Sequence, residues 1–361
     1  MIFVKAIAIT PKQPGSLRLE ELDVPKPKKN EVLLEVQKVG ICGTDRDIIS
    51  GFYGEAPEGE NSLVLAHESL SRVAGFGSGV RGFKKGDLVV ATVRRNCSEN
   101  CIFCKNGQSD MCITGHYLEH GIKGLHGFAR EFATTDSGFV VKLPELLKDE
   151  GVLLEPLTIV EKGVTQTLSV QRARMKKWSP NKALVLGAGP VGLLATAVLR
   201  LGGVKVDTVA RVPEDSLKAK LVKQTGANYI NTSITPLESL EGSYDVVLEL
   251  TGSTGVALEA QKLTSVNGIV CYLGVYKEEQ ETENAGKIYT DLVLGNRIQF
   301  GSVNANKSYF IQGVKDLQKI KRKWNGFLSK IITKRVSIDN YAEAYEEKSH
   351  EEIKTILEIK S

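Results

Sequence analysis

The sequence of 361 residues predicts an α/β protein with two domains, one rich in β-strands and one built on a doubly wound parallel sheet. Two observations carry this prediction. Short runs of β-branched residues, interrupted by Gly and Pro, fill the first part of the chain. From about residue 182, short apolar strands alternate with helical segments, which is typical of parallel sheets. Apolar residues make up 42% of the chain, enough for two cores.

The amino-terminal part is predicted to be mainly β-structure. Strands are expected in the runs 4–10, 31–40, 62–77, 86–93, 126–135 and 139–144. Helical periodicity follows over 147–170, and Pro156 predicts a bend or loop within it.

The later part is predicted to contain the parallel sheet. Strands are expected at 183–189, 204–211, 228–230, 244–250, 268–274 and 297–303. Helices are expected at 191–202 and 215–226. A further helix at 307–324 precedes a strand-like run at 328–338. Right-handed crossovers between the strands would place helices on both faces of the sheet.

Charge and hydropathy argue against nucleic-acid and membrane partners. The net charge is +4, and the longest basic block is "KRK" at 321–323. No apolar run is long enough to cross a bilayer. Residues 1–12 contain a lysine within an alternating run and no cleavage site, so they predict an edge strand rather than a signal peptide, and hence a cytoplasmic protein.

A glycine-rich turn predicts a dinucleotide site. The pattern G-x-G-x-x-G follows an apolar strand and opens a helix, and in that context it places a pyrophosphate at the helix N-terminus. The turn comprises Gly187, Ala188, Gly189, Pro190, Val191 and Gly192. A plain strand-to-helix turn is the alternative explanation.

The end of the next strand bears on the choice of cofactor. Asp207 has the spacing of a ribose-binding acid, but it lies inside the predicted strand, whereas Arg211 stands at its end. A guanidinium pairs with a 2′-phosphate. Arg211 therefore predicts NADP, with some tolerance of NAD, unless it is a solvated surface arginine.

Four clustered cysteines predict a structural zinc site. Cys97, Cys101, Cys104 and Cys112 have the spacing C-x3-C-x2-C-x7-C. Four thiolates form a closed tetrahedral site without an open coordination position. Unligated cysteines in a loop, or a nucleic-acid-binding ribbon, are the alternatives, and the lack of a surrounding basic patch lowers the second.

A second set of metal ligands is predicted in the β-rich part. Cys42 follows a strand in a glycine-rich turn, and His67 and Glu68 follow another apolar run. Cysteine, histidine and a carboxylate are typical ligands of a catalytic zinc ion. Each residue alone also has an ordinary structural explanation, as a buried thiol, a strand-end imidazole or a surface acid.

Taken together, these motifs resemble the zinc-containing medium-chain alcohol dehydrogenase superfamily. The resemblance covers nearly the whole chain and includes "GICGTD", "AHE", the cysteine lobe, "HGFAREF", "GAGPVG" and "LTG". More narrowly, "EGENSLVLAHE", "GIKGLHGFAREF", "LLEPL" and "GSVNANK" resemble the archaeal glucose (aldose) 1-dehydrogenases. In place of the Gly-His-Glu of many members, this chain has Ala66 before His67.

The resemblance implies a GroES-like catalytic domain and a Rossmann NADP-binding domain. Their expected bounds are 1–178 with 309–361, including a zinc lobe at about 94–115, and 179–308. It implies two zinc ions per subunit and a homo-oligomer, expected to be a tetramer. The implied reaction is oxidation of the anomeric hydroxyl of an aldose, D-glucose or a related sugar, to the lactone. A zinc-dependent polyol or secondary-alcohol dehydrogenase is the alternative enzyme, and a nucleotide-sensing or nucleic-acid-binding protein is the non-enzyme alternative.

The resemblance also implies roles for single residues. Glu155 would join Cys42, His67 and Glu68 at the catalytic zinc, directly or through water. Catalytic roles fall to Thr44, Glu68 and Glu155, and sugar contacts to Thr44, Glu119, Glu155 and Asn304. Besides the glycine turn, cofactor contacts would come from Ala210, Arg211, Val212, Leu273, Gly274, Val275, Ser302, Val303 and Asn304. Ile159 and Val93 replace a sugar-contacting acid and asparagine of relatives.

Overall fold

The computed structural model of the chain describes residues 3–240, 243–276, 285–346 and 349–360. These residues divide into two compact units. The first comprises 1–155, 304–318 and 328–361, and the second comprises 156–303 and 319–327.

The described residues contain eighteen β-strands. They are β1 (Phe3–Ile9), β2 (Arg18–Asp23), β3 (Glu31–Gly40), β4 (Leu63–Val64), β5 (Glu68–Phe76), β6 (Leu88–Ala91), β7 (Glu119–His120), β8 (Gly124–Leu125), β9 (Phe132–Asp136), β10 (Val140–Lys142), β11 (Lys182–Leu186), β12 (Lys205–Ala210), β13 (Asn228–Asn231), β14 (Tyr244–Glu249), β15 (Thr264–Tyr272), β16 (Ile298–Gly301), β17 (Ile332–Ser337) and β18 (Lys354–Glu358).

The same residues form ten α-helices and several short 3-10 turns. The helices are α1 (Gly43–Ile49), α2 (Ile102–Lys105), α3 (Leu154–Arg174), α4 (Pro190–Leu201), α5 (Leu217–Gln224), α6 (Thr254–Lys262), α7 (Ala285–Leu294), α8 (Lys307–Lys323), α9 (Phe327–Ile331) and α10 (Ala342–Tyr345).

The first unit is built mainly on antiparallel strand pairs, although β17 pairs with β18 and β7 with β8 in parallel. A seven-stranded sheet has the order β10-β6-β5-β3-β18-β17, with β9 also paired to β3. In β3, buried residues alternate with partly exposed ones over most of the strand, the pattern of a half-buried strand. Strand β18 from the end of the chain pairs with β3 near Gly40, and so comes close to the first residues after that strand.

The second unit contains the predicted parallel sheet. Its six strands have the order β13-β12-β11-β14-β15-β16, and every neighbouring pair is parallel. The order reverses beside β11, between β12 and β14, which is the switch point where doubly wound folds bind dinucleotides. The predicted fold class, a β-rich domain plus a Rossmann-type sheet, is confirmed.

From Pro156 onwards, helix α3 groups with the second unit. Its Gly163 lies against Leu273 and Cys271 of the parallel-sheet unit. Near its other end, Gln171 Nε2 donates to the carbonyl of Asn267 at 2.6 Å. The predicted domain bounds, 1–178 with 309–361 and 179–308, stay a prediction.

Three predicted local features differ from the structure. Pro156 does not bend the helix, because it lies in the first turn of α3, where a missing N–H is tolerated. Strand β1 is the central strand of a three-stranded sheet, not an edge strand. Residues 328–331 belong to α9, so only the second half of the run 328–338 is a strand.

None of the helices in the described part of the chain is both long and apolar enough to span a membrane.

Candidate active site and metal centres

Three predicted ligands of one metal ion come together in the first unit. Cys42 is the N-cap residue of α1, His67 precedes β5, and Glu68 is the first residue of that strand. One ligand atom from each lies within 4.8 Å of the other two. His67 and Glu68 are buried and Cys42 is half-buried, so one side of the set remains accessible.

Asp45 fixes the geometry of this set. It occupies the third position of α1, and its carboxylate accepts the N–H of Cys42 at 2.8 Å and that of Ala66 at 3.2 Å. Its Oδ1 lies 4.0 Å from Nδ1 of His67. At this distance the carboxylate does not bond to the ring, but its negative charge raises the pKa of His67. Asp45 therefore joins the two chain segments that carry the predicted ligands.

The electrostatics of the set fit a divalent cation. Burial opposes protonation of His67, but the hydrogen bond with Cys42 and the charge of Asp45 outweigh it, so its pKa is raised well above the ordinary value. Groups that together attract a proton this strongly also attract a metal ion. Cysteine, histidine and carboxylate are ligands that zinc accepts. The three residues therefore fit a zinc ion.

Glu155 lies outside the compact set of three, but the charges of His67 and Glu68 affect its pKa. Burial raises the pKa of Glu155 to about 7, and the charge of Glu68 adds to this effect while that of His67 opposes it. A carboxyl group with such a pKa exchanges its proton readily near neutral pH.

The backbone before His67 is strained. Ala66 has a φ of +67°, in the left-handed region that favours glycine. The backbone of Gly121 packs against it so closely that a Cβ there would lie 2.7 Å from the carbonyl oxygen of Ala66. A glycine would adopt this conformation without the strain that Ala66 carries.

The four clustered cysteines form a second centre. Their sulfur atoms all lie within 4.8 Å of one another, and those of Cys101 and Cys112 are 4.0 Å apart. The N–H of Cys101 points at the sulfur of Cys97 at 3.2 Å, and the N–H of Cys97 at that of Cys104 at 3.4 Å. Backbone donors aimed at sulfur stabilise thiolates, so this geometry fits a closed tetrahedral zinc site.

The cysteines differ in their affinity for a proton. Backbone N–H groups lower the pKa of Cys101 to about 6, whereas burial raises that of Cys104 to about 12. A metal ion would remove this difference, because zinc binds all four ligands as thiolates.

The predicted sugar contacts Glu119 and Asn304 are hydrogen-bonded to each other. Asn304 Nδ2 donates to Glu119 Oε1 at 2.9 Å, and both residues are buried. Thr44, the predicted partner of the reacting hydroxyl, lies beside the first metal set, with its Oγ1 3.8 Å from the sulfur of Cys42. The structure thus places these three predicted contacts, like the fourth, Glu155, in the first unit.

The glycine turn lies between β11 and α4, as predicted. Gly187 has a φ of +108°, and a Cβ on Gly192 would lie 1.9 Å from the carbonyl oxygen of Gly187. A Cβ on Gly189 would meet no protein atom within 4 Å. The backbone conformation therefore favours glycine at Gly187, and packing requires it at Gly192. Gly189 leaves the backbone open to a ligand at the N-terminus of α4.

The two candidate residues for ribose recognition have different surroundings. Asp207 is buried, and its carboxylate accepts from Tyr244 at 2.7 Å, Lys182 at 2.9 Å and Asn228 at 3.2 Å. Arg211 follows directly after β12 and is exposed. The carboxylate of Asp207 is thus bonded to neighbouring side chains within the sheet, and Arg211 is the charged group available to a ligand at the end of the strand.

The predicted cofactor contacts after β15 and β16 lie on loops of the parallel-sheet unit up to Val303, whereas Asn304 groups with the first unit. A Cβ on Gly274 would lie 2.5 Å from the backbone nitrogen of Gly252, so the two loops approach closely. Val275 and Val303 expose 76% and 62% of their surface. Valine side chains this exposed at the carboxyl end of the sheet fit contact with a planar ring.

Three residues that take part in these sites were not identified from the sequence. Asp45 was detectable, because it stands three residues after the N-cap Cys42, the spacing of a capping box. Arg94, which bonds to Glu119, and Lys354, which bonds to Glu68, gave no such signal because their partners are distant in sequence.

Comparison with known proteins places the chain in a family. Residues 28–145 match the alcohol dehydrogenase GroES-like domain, and residues 148–359 match the glucose dehydrogenase C-terminus. The chain is 46% identical to glucose 1-dehydrogenase 1 of Caldivirga maquilingensis, over 99% of both chains. It is 45% identical to glucose 1-dehydrogenase of Thermoproteus tenax, over 99% of this chain and all of that one.

A solved structure supports the same relationship. Haloferax mediterranei glucose dehydrogenase, in complex with NADP, Zn and gluconolactone, is 30% identical and has a TM-score of 0.90, with 99% of both chains covered. The fold and the ligand sets define a zinc-type medium-chain dehydrogenase. Within that superfamily, the chain belongs to the glucose dehydrogenase family, and the predicted resemblance is confirmed.

Proposed function

We propose that this oxidoreductase converts an aldose, with D-glucose as the first candidate, to its lactone by oxidation at C1. The hydride passes to NADP, with some tolerance of NAD. The observation that carries the proposal is the compact set of Cys42, His67 and Glu68, whose chemistry fits zinc. The Haloferax relative, whose complex contains NADP, Zn and gluconolactone, supports the same cofactors and product.

Zinc and NADP, when bound, would supply the chemistry that side chains lack, because the metal would lower the pKa of the anomeric hydroxyl and the nicotinamide would accept hydride. Cys42, His67, Glu68 and Glu155 would hold the zinc ion, the last directly or through water. Thr44 lies beside Cys42 and would take the hydroxyl proton and pass it outward.

The other residues bind and orient the reactants. Glu119, Glu155 and Asn304, together with Thr44, would bind sugar hydroxyls. The pyrophosphate would lie on the glycine turn from Gly187 to Gly192, and Arg211 would pair with the 2′-phosphate, flanked by Ala210 and Val212. The nicotinamide ribose and ring would contact Leu273, Gly274, Val275, Ser302, Val303 and Asn304.

The remaining assignments concern the architecture. We propose that Cys97, Cys101, Cys104 and Cys112 hold a structural zinc ion, which makes two per subunit. Assembly into a tetramer and a cytoplasmic location stay predictions. Light scattering on the purified protein would give the number of subunits.

A substrate panel tests the proposed function. Aldoses, polyols and secondary alcohols are assayed with both cofactors, and the product is identified as a lactone. We expect the highest kcat/KM for an aldose with NADP. The Cys42→Ser variant serves as the inactive control. Oxidation of alcohols without oxidation of any aldose would instead favour a polyol or secondary-alcohol dehydrogenase.

A further inference from the structure

The carboxylate of Glu119 is held by one of its two oxygens. Arg94 Nε and Asn304 Nδ2 both donate to Oε1, each at 2.9 Å. Within the part of the chain that the structure describes, no donor is bonded to Oε2. The side chain is 11% exposed, so little of it reaches solvent. Glu119 therefore presents one oriented oxygen that can accept a hydrogen bond.

Arg94 is itself fixed before any ligand binds. Its backbone forms an antiparallel bridge with Glu119, which makes the two residues cross-strand neighbours. Its side chain is 7% exposed, and the guanidinium lies 3.6 Å from the centre of the Tyr117 ring. Burial, stacking and an ion pair together restrict the guanidinium to one orientation.

The second donor, Asn304, is also restricted. It has a left-handed φ of +57°, and its Oδ1 accepts the N–H of Ala305 at 2.8 Å. That bond leaves the amide nitrogen directed at Glu119. A non-glycine residue in this conformation persists only where its surroundings enforce it.

Both donors are connected to the cysteine lobe through Asp110. Asn306, two residues after Asn304, donates to Asp110 Oδ1 at 3.0 Å. Arg94 Nη1 lies 3.4 Å from the backbone carbonyl of Asp110. Asp110 is buried in the 3-10 turn that precedes Cys112. The lobe thus helps to hold the frame around Glu119.

We propose that Arg94 is a positioning residue that determines sugar specificity, by directing Glu119 Oε2 at a hydroxyl group of the aldose. This inference rests on the proposed oxidation of an aldose. A carboxylate held in one orientation binds a hydroxyl strongly and is left unpaired by a sugar that lacks it. Discrimination between sugars then depends on Arg94, although Arg94 does not touch the substrate.

Only an arginine satisfies this geometry. Its planar fork donates from Nε to Glu119 while Nη1 faces the carbonyl of Asp110, and its flat face stacks on Tyr117. A lysine would retain the positive charge next to Glu119, but a single ammonium group cannot reproduce this fork. The Arg94→Lys variant therefore retains the positive charge beside Glu119 but loses the planar fork that orients its carboxylate.

The experiment compares D-glucose with its 2-, 3-, 4- and 6-deoxy analogues. For each sugar, kcat/KM is measured with saturating NADP in the holoenzyme and in the Arg94→Lys, Glu119→Gln and Arg95→Lys variants. Arg95 is the matched control, because it is a neighbouring, half-buried arginine that bonds to Thr92 and Thr135 instead of Glu119.

We expect the wild type to discriminate against one deoxy sugar by roughly tenfold to a hundredfold, the factor for one hydrogen bond to a charged group. Arg94→Lys and Glu119→Gln should reduce this ratio towards one, and Arg95→Lys should preserve it. A general structural defect would lower kcat/KM for all sugars equally and leave the ratio unchanged, which would overturn the inference. Failure of the wild type to oxidise any aldose would refute the proposed function itself.

Discussion

Lys354 and Glu68 form an ion pair with both side chains buried. Lys354 Nζ lies 2.6 Å from Oε1 and 2.5 Å from Oε2 of Glu68, and the side chains are 2% and 1% exposed. The ammonium also donates to the carbonyl of Ile41 at 3.0 Å. A Cβ on Gly40 would lie 2.0 Å from Oε2 of Glu68, so any larger residue at this position would clash with the carboxylate. A strand near the end of the chain thus supplies the counter-charge of a proposed zinc ligand.

Replacement of Lys354 should destabilise the protein strongly. In protein without zinc at Cys42, His67 and Glu68, Lys354→Met leaves the carboxylate of Glu68 buried and unpaired, and breaking such a pair from one side costs about 3–5 kcal/mol. The free energy of unfolding in urea, measured for wild type and variant after zinc has been removed with a chelator, would give this loss.

A double variant separates the ion pair from other effects of the substitution. Lys354→Met combined with Glu68→Gln removes both charges, so in the same zinc-free state the loss should be smaller than after Lys354→Met alone. Equal losses in the single and double variants would show that the pairing of these charges is not the cause.

Cofactor preference should depend on Arg211. In Arg211→Asp, a carboxylate replaces the group proposed to bind the 2′-phosphate, and it repels that phosphate while accepting bonds from ribose hydroxyls. We expect the ratio of kcat/KM for NADP to that for NAD to fall by about tenfold or more, as for a lost hydrogen bond between charged groups.

Asp207→Asn is the matched control for this prediction. The Asp207 carboxylate is bonded to Tyr244 and Lys182 inside the second unit. Its replacement should lower the melting temperature and leave the cofactor ratio unchanged. If the cofactor ratio changed in Asp207→Asn and did not change in Arg211→Asp, Asp207 rather than Arg211 would be the residue that recognises the ribose.

Local sequence patterns predicted most of the second unit. The strand, glycine turn and helix around Gly187 form a continuous segment, and periodicity within about thirty residues is enough to detect it. Strand β2 was not predicted, because its residues Arg18–Asp23 are mostly charged and alternate between exposed and partly exposed positions. Pro156 was misinterpreted, since a proline that breaks a helix interior is harmless in its first turn.

The ligand sets could be predicted, but not the residues that hold them in place. Cysteine spacing and the pair His67-Glu68 are visible in the sequence because the ligand types are chemically distinctive. Lys354 is 286 residues from its partner Glu68, and Arg94 is 25 residues from Glu119. A single lysine or arginine has no local pattern that would distinguish such a role from solvation, so only the fold reveals it.

Metal content should distinguish the two centres. Cys101→Ser removes a ligand of the four-cysteine centre, and Cys42→Ser removes one from the other set. We expect each variant to lose one of two zinc ions per chain, measured by elemental analysis. Thermal stability should fall more in Cys101→Ser, because a closed site contributes folding free energy. Activity should be abolished in Cys42→Ser. A wild type with a single zinc ion would contradict the assignment of two centres.

Acidification should destabilise the protein in part through His120. Burial, and to a lesser degree the charge of Arg95, lower the pKa of His120 well below its ordinary value of 6.5. Its Nδ1 bonds to the carbonyl of His126 at 2.7 Å, which fits a neutral ring that donates. Below pH 6.5 the His120 ring takes up a proton in the unfolded chain but not in the folded protein. The free energy of unfolding therefore decreases as the pH is lowered.

The variant His120→Gln isolates this contribution, because an amide does not titrate. Unfolding free energies of wild type and variant are compared at about pH 7.5 and about pH 5.5, and the wild type should lose about 1 kcal/mol more over this interval. Zinc content is measured at both pH values, so that release of metal is not mistaken for titration of the ring. If both proteins lose the same amount, His120 is protonated in the folded state and its burial does not keep it neutral.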